Sequence, residues 1–181
     1  MKAIVGVVRW LISALFSLRR RMGVRHRTCF FSRQASRLTP DFALLQQQLR
    51  KTDPTMEIVT ICCRYRGRQD GPLRFLWQCV RSVFLAASAQ VCVLDGYWPT
   101  ICLLRDKKDL RVIQIWHSVG KIKKSGYQTL DKPSGRSGAM ARALCMHRNY
   151  DVIMAGGPAW NPFYCAAFDV TEDRLRNWGL P

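Results

Sequence analysis

The sequence predicts an α/β domain: a Rossmann-like, mostly parallel sheet flanked by helices and preceded by a basic amphipathic helix. Three observations carry this reading. Short apolar runs recur along the chain, and the segments between them space their apolar residues three and four apart. Two of those helical segments open on a proline, Pro40 and Pro72, at the position where a helix tolerates it best. Strands that alternate with helices of ten or more residues imply βαβ units, and so parallel pairing. The 181 residues, 48% of them hydrophobic, suffice for one domain with a core but are cramped for two.

The elements follow in order. Arg27 to Phe31 reads as a first strand. Thr39 offers a capping hydroxyl ahead of Pro40, and Phe42, Leu45 and Leu49 continue at helical spacing until Thr52-Asp53-Pro54. Met56 to Cys62 is a second strand. The polar stretch Arg64 to Gly71 then leads to a helix carrying Leu73, Leu76, Trp77, Val80, Val83 and Phe84. Gln90 to Leu94 is a third strand, followed by the turn-rich Asp95-Gly96-Tyr97-Trp98-Pro99. Val112 to Trp116 is a fourth and delivers His117. Gly135 to His147 is expected to be helical, Asp151 to Ala155 a strand, and Ala159 to Phe168 a helix after Gly156-Gly157-Pro158.

The charge balance narrows the partners. Twenty-nine Lys and Arg against twelve Asp and Glu give +17, which points to polyanions. Nine basic residues precede the first acid, Asp41, and they flank an apolar stretch, Ala3 to Leu18, broken only by Arg9. Sixteen helical residues span about 24 Å, short of the roughly 30 Å hydrocarbon core. Residues 1–26 are therefore expected to form a helix lying on an anionic membrane surface, with residues 27–181 as the domain proper. The alternative is a helix packed on the domain through Trp10, Leu11, Ala14, Leu15 and Leu18. A signal peptide is not expected, because charge breaks the apolar region and no small-residue cleavage site is evident. No nucleic-acid module follows the basic arm, so lipid is the favoured polyanion. The eight cysteines include no Cys-x-x-Cys and fit a reduced interior, which suggests the cytoplasmic side of the membrane. Cys145-Met146-His147 lacks further ligands at metal spacing, so neither a metal nor a cofactor is expected.

The chemistry concentrates at one strand end. Open α/β sheets bind ligands beyond the carboxyl ends of their strands, and His117 is expected there. An imidazole can exchange a proton near neutral pH. Ser118, Gly120, Lys121, Lys123 and Lys124 follow it within seven residues and supply a flexible, cationic loop suited to phosphate. The competing reading is a solvated basic loop beside a structural histidine. Asp95 and Trp98 could form an edge of the same site, or a turn with rings packed on the core. Gly156 and Gly157, opening a helix, could present amides to an anion near Asn161. His147 falls near an expected helix C-terminus, where a cation is favourable without any further role.

These residues carry a resemblance. Ile115-Trp116-His117-Ser118-Val119-Gly120-Lys121-Ile122-Lys123-Lys124-Ser125-Gly126-Tyr127 resembles the Trp-His-Gly…Lys-Lys-x-Gly segment of the CDP-glycerol glycerophosphotransferase family, the teichoic-acid primases and polymerases. Val93 to Trp98, Tyr150 to Phe163 and Asn177 to Pro181 resemble the flanking segments, so the likeness covers roughly residues 28 to 181. It implies the N-terminal half of a GT-B-type fold and transfer of glycerol phosphate from CDP-glycerol to a lipid-linked glycerol-phosphate or disaccharide acceptor. His117 would be the base, and the lysines would hold acceptor phosphates. Two departures stand out: Ser118 replaces the common glycine, and the chain stops at Pro181, before the family's arginine and nucleotide-binding domain. The resemblance therefore implies an acceptor-side part, with CDP held mainly by the missing half and no turnover by this part alone. The alternative from another class is a non-catalytic module that binds anionic lipid or polymer at the membrane.

Overall fold

The computed structural model describes residues 2–65, 71–117, 123–133 and 135–179. Six strands form one parallel sheet: β1 (Arg27–Ser32), β2 (Glu57–Cys62), β3 (Val91–Leu94), β4 (Arg111–Gln114), β5 (Val152–Met154) and β6 (Leu175–Arg176). Their order is β2-β1-β3-β4-β5-β6. The chain leaves β1 for one edge, then returns past it to lay down β3 on the other side. The carboxyl ends of β1 and β3 therefore flank the point where strand order reverses, the usual ligand crevice of such sheets.

Alternation along the strands divides two cores. Cys29 and Phe31 on β1, Cys92 and Leu94 on β3, Val112 on β4 and Ile153 on β5 face the larger one. Phe30, Val93 and Ile115 face the smaller one with Phe42. Register keeps these rows aligned: Cys29 sits beside Cys92, and Cys92 beside Val112. The larger core is closed by α1 (Lys2–Arg21), α3 (Pro72–Ala87), α4 (Pro99–Leu103), α5 (Gly138–Ala143) and α6 (Asn161–Phe168). Only α2 (Pro40–Thr52) covers the smaller one, with Thr39 capping it by accepting from the Phe42 amide. The eight cysteines, all among the described residues, form no disulfide.

Several elements differ from expectation. The fourth strand stops at Gln114 because Trp116 adopts φ 63°, a left-handed conformation that no ladder accommodates. The loop after β3 winds into α4, started by Pro99. The helix expected over Gly135 to His147 is confined to Gly138–Ala143; positive φ at Cys145, His147 and Asn149 coils the rest into turns. β6 pairs only two residues, too few for a sequence pattern.

Helix α1 is inside out relative to a surface helix. Arg9, Ile12, Phe16 and Arg20 point inward: Phe16 is wholly buried, and Arg9 donates from Nε to Leu103 O at 3.1 Å. Arg20, only 7% exposed, donates to Asp109 Oδ1 at 2.7 Å and to the carbonyls of Ala87 and Ala89 at 3.3 and 2.9 Å. Trp10, Leu11, Leu15 and Leu18, the face that the packed alternative would have buried, point outward, and Leu18 is 62% exposed. Arg9 and Arg20 are thus committed to the protein rather than to head groups. No helix among the described residues is long and apolar enough to cross a membrane.

Candidate active site

The site is built outward from Gln114, the last residue of β4, which is completely buried. Its side-chain oxygen accepts from the Trp116 amide at 2.9 Å, and its nitrogen donates to Gly96 O at 3.1 Å. One amide thereby ties the loop after β4 to the loop after β3. The clamp holds Trp116 in its left-handed turn, and the indole packs edge-on against Phe168 at 5.1 Å. The turn swings His117 back toward β3, where Nδ1 lies 2.8 Å from the main-chain oxygen of Asp95. A carbonyl can only accept, so Nδ1 carries the proton and the basic lone pair of the neutral ring sits on Nε2.

Asp95 joins the third strand end. Its carboxylate accepts from the Arg33 amide, just past β1, at 3.4 Å. Burial drives its pKa up to about 6, against the pull of hydrogen bonds from the Ser32 hydroxyl and the Arg33 amide. Asp95 therefore organises the site through its backbone and its buried carboxyl.

A cleft of about 520 Å³ opens at this junction. Arg33, Arg64, His117, Lys124 and Arg136 line it, and no Asp or Glu does among the described residues. Its floor is Trp116, Met146 and His147. His147 is buried, with Nδ1 3.1 Å from the Tyr150 hydroxyl and rings of Trp116, Tyr127 and Phe168 around it. Gly126 completes the wall at φ 57°: a Cβ there would collide with the carbonyl oxygen of Ala167 and press on His147 Nε2. A cavity lined by cations without acids suits a phosphorylated ligand.

The structure brings together His117, Lys124 and the Asp95 backbone. Lys123 is exposed and does not line the cleft. Ser118, Gly120 and Lys121 lie outside the described residues. Trp98 belongs to the core: it is 1% exposed, donates from Nε1 to Ser82 Oγ at 2.9 Å and packs on Phe31. Asn161 is buried away from the cleft, its amide donating to Glu172 Oε1 at 2.6 Å. Gly156 and Gly157 follow β5 and do not reach the cleft; Gly157 has an extended φ of 166°. Arg33 and Arg136 were not foreseen as site residues; Tyr97 was considered only as part of the Asp95-to-Trp98 turn at the site's edge, and His147 only as a cation at a helix end. Arg33 follows a strand end as His117 does, so the rule that singled out His117 also reaches it. His147 carries no such signal, since its aromatic surroundings are tertiary. Among the described residues no group of three or more His, Cys, Asp or Glu could hold a metal ion.

A family model described as CDP-Glycerol:Poly(glycerophosphate) glycerophosphotransferase matches residues 14–181. The chain belongs to this family. One relative, the teichoic acid ribitol-phosphate primase of Bacillus spizizenii, is 28% identical over 181 residues, covering 99% of this chain and 45% of the primase. The teichoic acid ribitol-phosphate polymerase TarL of Staphylococcus aureus is 29% identical over 101 residues, 56% of this chain and 17% of TarL. The chain thus spans less than half the length of these relatives. Among solved structures, the wall teichoic acid polymerase TagF superposes with a TM-score of 0.66 at 13% identity, over 99% of this chain and 46% of that one. The fold is accordingly that of about half of a GT-B-like teichoic acid polymerase.

Proposed function

We propose that this chain is the acceptor-side part of a transferase that moves glycerol phosphate, or a related polyol phosphate, from a CDP-linked donor to a lipid-linked acceptor hydroxyl. The observation that carries the reading is His117: an imidazole with its tautomer fixed by Asp95 O, facing a cleft whose described lining residues include cations and no acid. In the reaction, Nε2 takes the proton of the acceptor hydroxyl as its oxygen attacks the donor phosphorus bearing the polyol. The bond from that phosphorus to CMP breaks, and CMP leaves with the electron pair. Phosphoryl transfer depends mainly on positioning and charge neutralisation, and Lys124 with Arg33 and Arg136 supplies positive charge. The donor's nucleotide would be held by the second half that the longer relatives carry, so the 181-residue chain alone should not turn over.

The surface supports work at a membrane. Ile4, Leu11, Leu15 and Leu18 of α1 and Leu73, Leu76, Trp77 and Phe84 of α3 are exposed on two helices that pack together, with Trp77 64% exposed. Apolar surface of that extent on a strongly basic chain suits the anionic cytoplasmic face of a cell membrane, with peripheral attachment. The same observation favours the second reading, a membrane-surface module without catalysis. One experiment separates them. In a two-half enzyme, His117→Ala should abolish transfer and leave binding to anionic vesicles intact; transfer at the unmodified rate would leave only the module.

A further inference from the structure

Arg33 and Arg136 come from distant parts of the chain to one aromatic ring. Their guanidinium carbons lie 5.7 and 5.6 Å from the centroid of Tyr97. That ring is fixed, since its hydroxyl donates to Leu144 O at 3.1 Å. Arg33 also lies 5.6 Å from the centroid of Phe75, itself stacked on Tyr65 at 4.4 Å. Its Nη1 donates to Tyr97 O at 3.2 Å, whereas its Nε is buried with no acceptor in reach among the described residues. Burial and then the charge of Arg136 both disfavour protonated Arg33. The ion pairs among the described residues use Arg20, His26, Arg27, Lys107 and Lys108, and no described carboxylate pairs with Arg33 or Arg136.

Stacking alone explains why Arg33 is an arginine, because a planar guanidinium fits between two rings. It does not explain Arg136, which is exposed and adds a like charge to the same ring. Two guanidiniums held together without an acid are satisfied by an anion that both can fork onto. We infer that Arg33 and Arg136, seated on Tyr97, form a binding site for a phosphate diester or diphosphate group in the cleft that His117 lines. That the group belongs to the acceptor rests on the proposed function; that an anion binds there does not.

The test uses the 181-residue chain and isothermal titration at low ionic strength with two probes. Inorganic pyrophosphate represents a lipid diphosphate linkage, and a short glycerol-phosphate oligomer represents the phosphodiester chain. At least one probe should bind, and the one that binds names the source. Arg136→Gln and the double variant Arg33→Gln/Arg136→Gln should weaken binding by about threefold and tenfold or more. Arg50→Gln, on α2 and away from the cleft, should leave it unchanged. Because Arg136 is exposed, its variant remains folded and informative even if substitution at Arg33 unfolds the chain. Binding of neither probe, or Arg136→Gln behaving like Arg50→Gln, overturns the inference. If His117→Ala abolishes transfer in a two-half enzyme while the arginine variants keep the acceptor KM, the clamp fails and the transferase stands. If the arginine variants lose the anion while His117 proves dispensable, the transferase reading fails and the anion site stands.

Discussion

Nδ1 of His117 lies 2.8 Å from the backbone oxygen of Asp95, and this one contact decides which ring nitrogen can act as a base. A main-chain carbonyl cannot be lost by side-chain substitution, so the tautomer depends on where the loops are held. Gln114 holds them, bonded to Trp116 N and Gly96 O. Gln114→Leu should therefore lower kcat of a two-half enzyme by about 10- to 100-fold with KM little changed, whereas His117→Ala should lower it by 10² to 10⁴. Steady-state kinetics on both variants checks the ranking; equal losses would contradict a positioning role for Gln114.

Asp95 makes a signed prediction about pH. Burial raises its folded pKa to about 6 from the ordinary aspartate value of 3.8. The folded state therefore takes up this proton before the unfolded chain does. Its charge opposes folding above about pH 6, and the penalty is relieved as pH falls from 6 toward 4. Asp95→Asn keeps a side-chain acceptor for the Arg33 amide and removes the charge. At pH 7 it should match or exceed the parent stability, by on the order of 3 kcal/mol at most. Denaturant melts at pH 5 and pH 7 should show the difference shrinking at the lower pH.

Gly126 is predicted to tolerate no side chain. Its φ of 57° already disfavours an L residue, and a Cβ would meet the Ala167 carbonyl. Gly126→Ala should cost about 2–4 kcal/mol and loosen the turn from α6. Thermal melting measures the loss, and a variant within about 0.5 kcal/mol of the parent would show that the wall can move.

The two faces of α1 should separate stability from membrane attachment. Arg20→Ala removes hydrogen bonds to Asp109, Ala87 and Ala89 and should cost about 2 kcal/mol. Leu11→Ser combined with Leu18→Ser, on the exposed face, should leave stability within about 1 kcal/mol yet weaken binding to anionic vesicles at least tenfold. Vesicle co-sedimentation beside a chemical melt reads both effects.

Much of this architecture is written in local pattern. The alternation Cys29, Phe31 against Thr28, Phe30 marks a strand buried on both faces, and Pro40 and Pro72 mark helix starts, so five of the strands and the longer helices were legible. What escaped depends on partners distant in sequence. Nothing near Trp116 announces a left-handed φ; it follows from Gln114 reaching back across the loop. The apolar stripe of α1 was visible, but which face turns inward was decided by Arg20 finding Asp109 and two carbonyls. Trp98 and Asn161 looked accessible because both stand beside turns, and long-range bonds to Ser82 and Glu172 bury them. The arginines on Tyr97 meet from positions about a hundred residues apart, beyond any spacing argument.

The left-handed turn at Trp116 has an outcome for how such proteins diversify. Three contacts seat the imidazole and the residue before it: the Gln114 amide and the Asp95 carbonyl, both ahead of residue 117, and the Phe168 ring against the indole, far beyond it. None of these three anchors is contributed by residues 118–122, so all three would persist if that stretch changed in composition. Under the proposed function, preference for a different acceptor could then arise there while the imidazole keeps its seat.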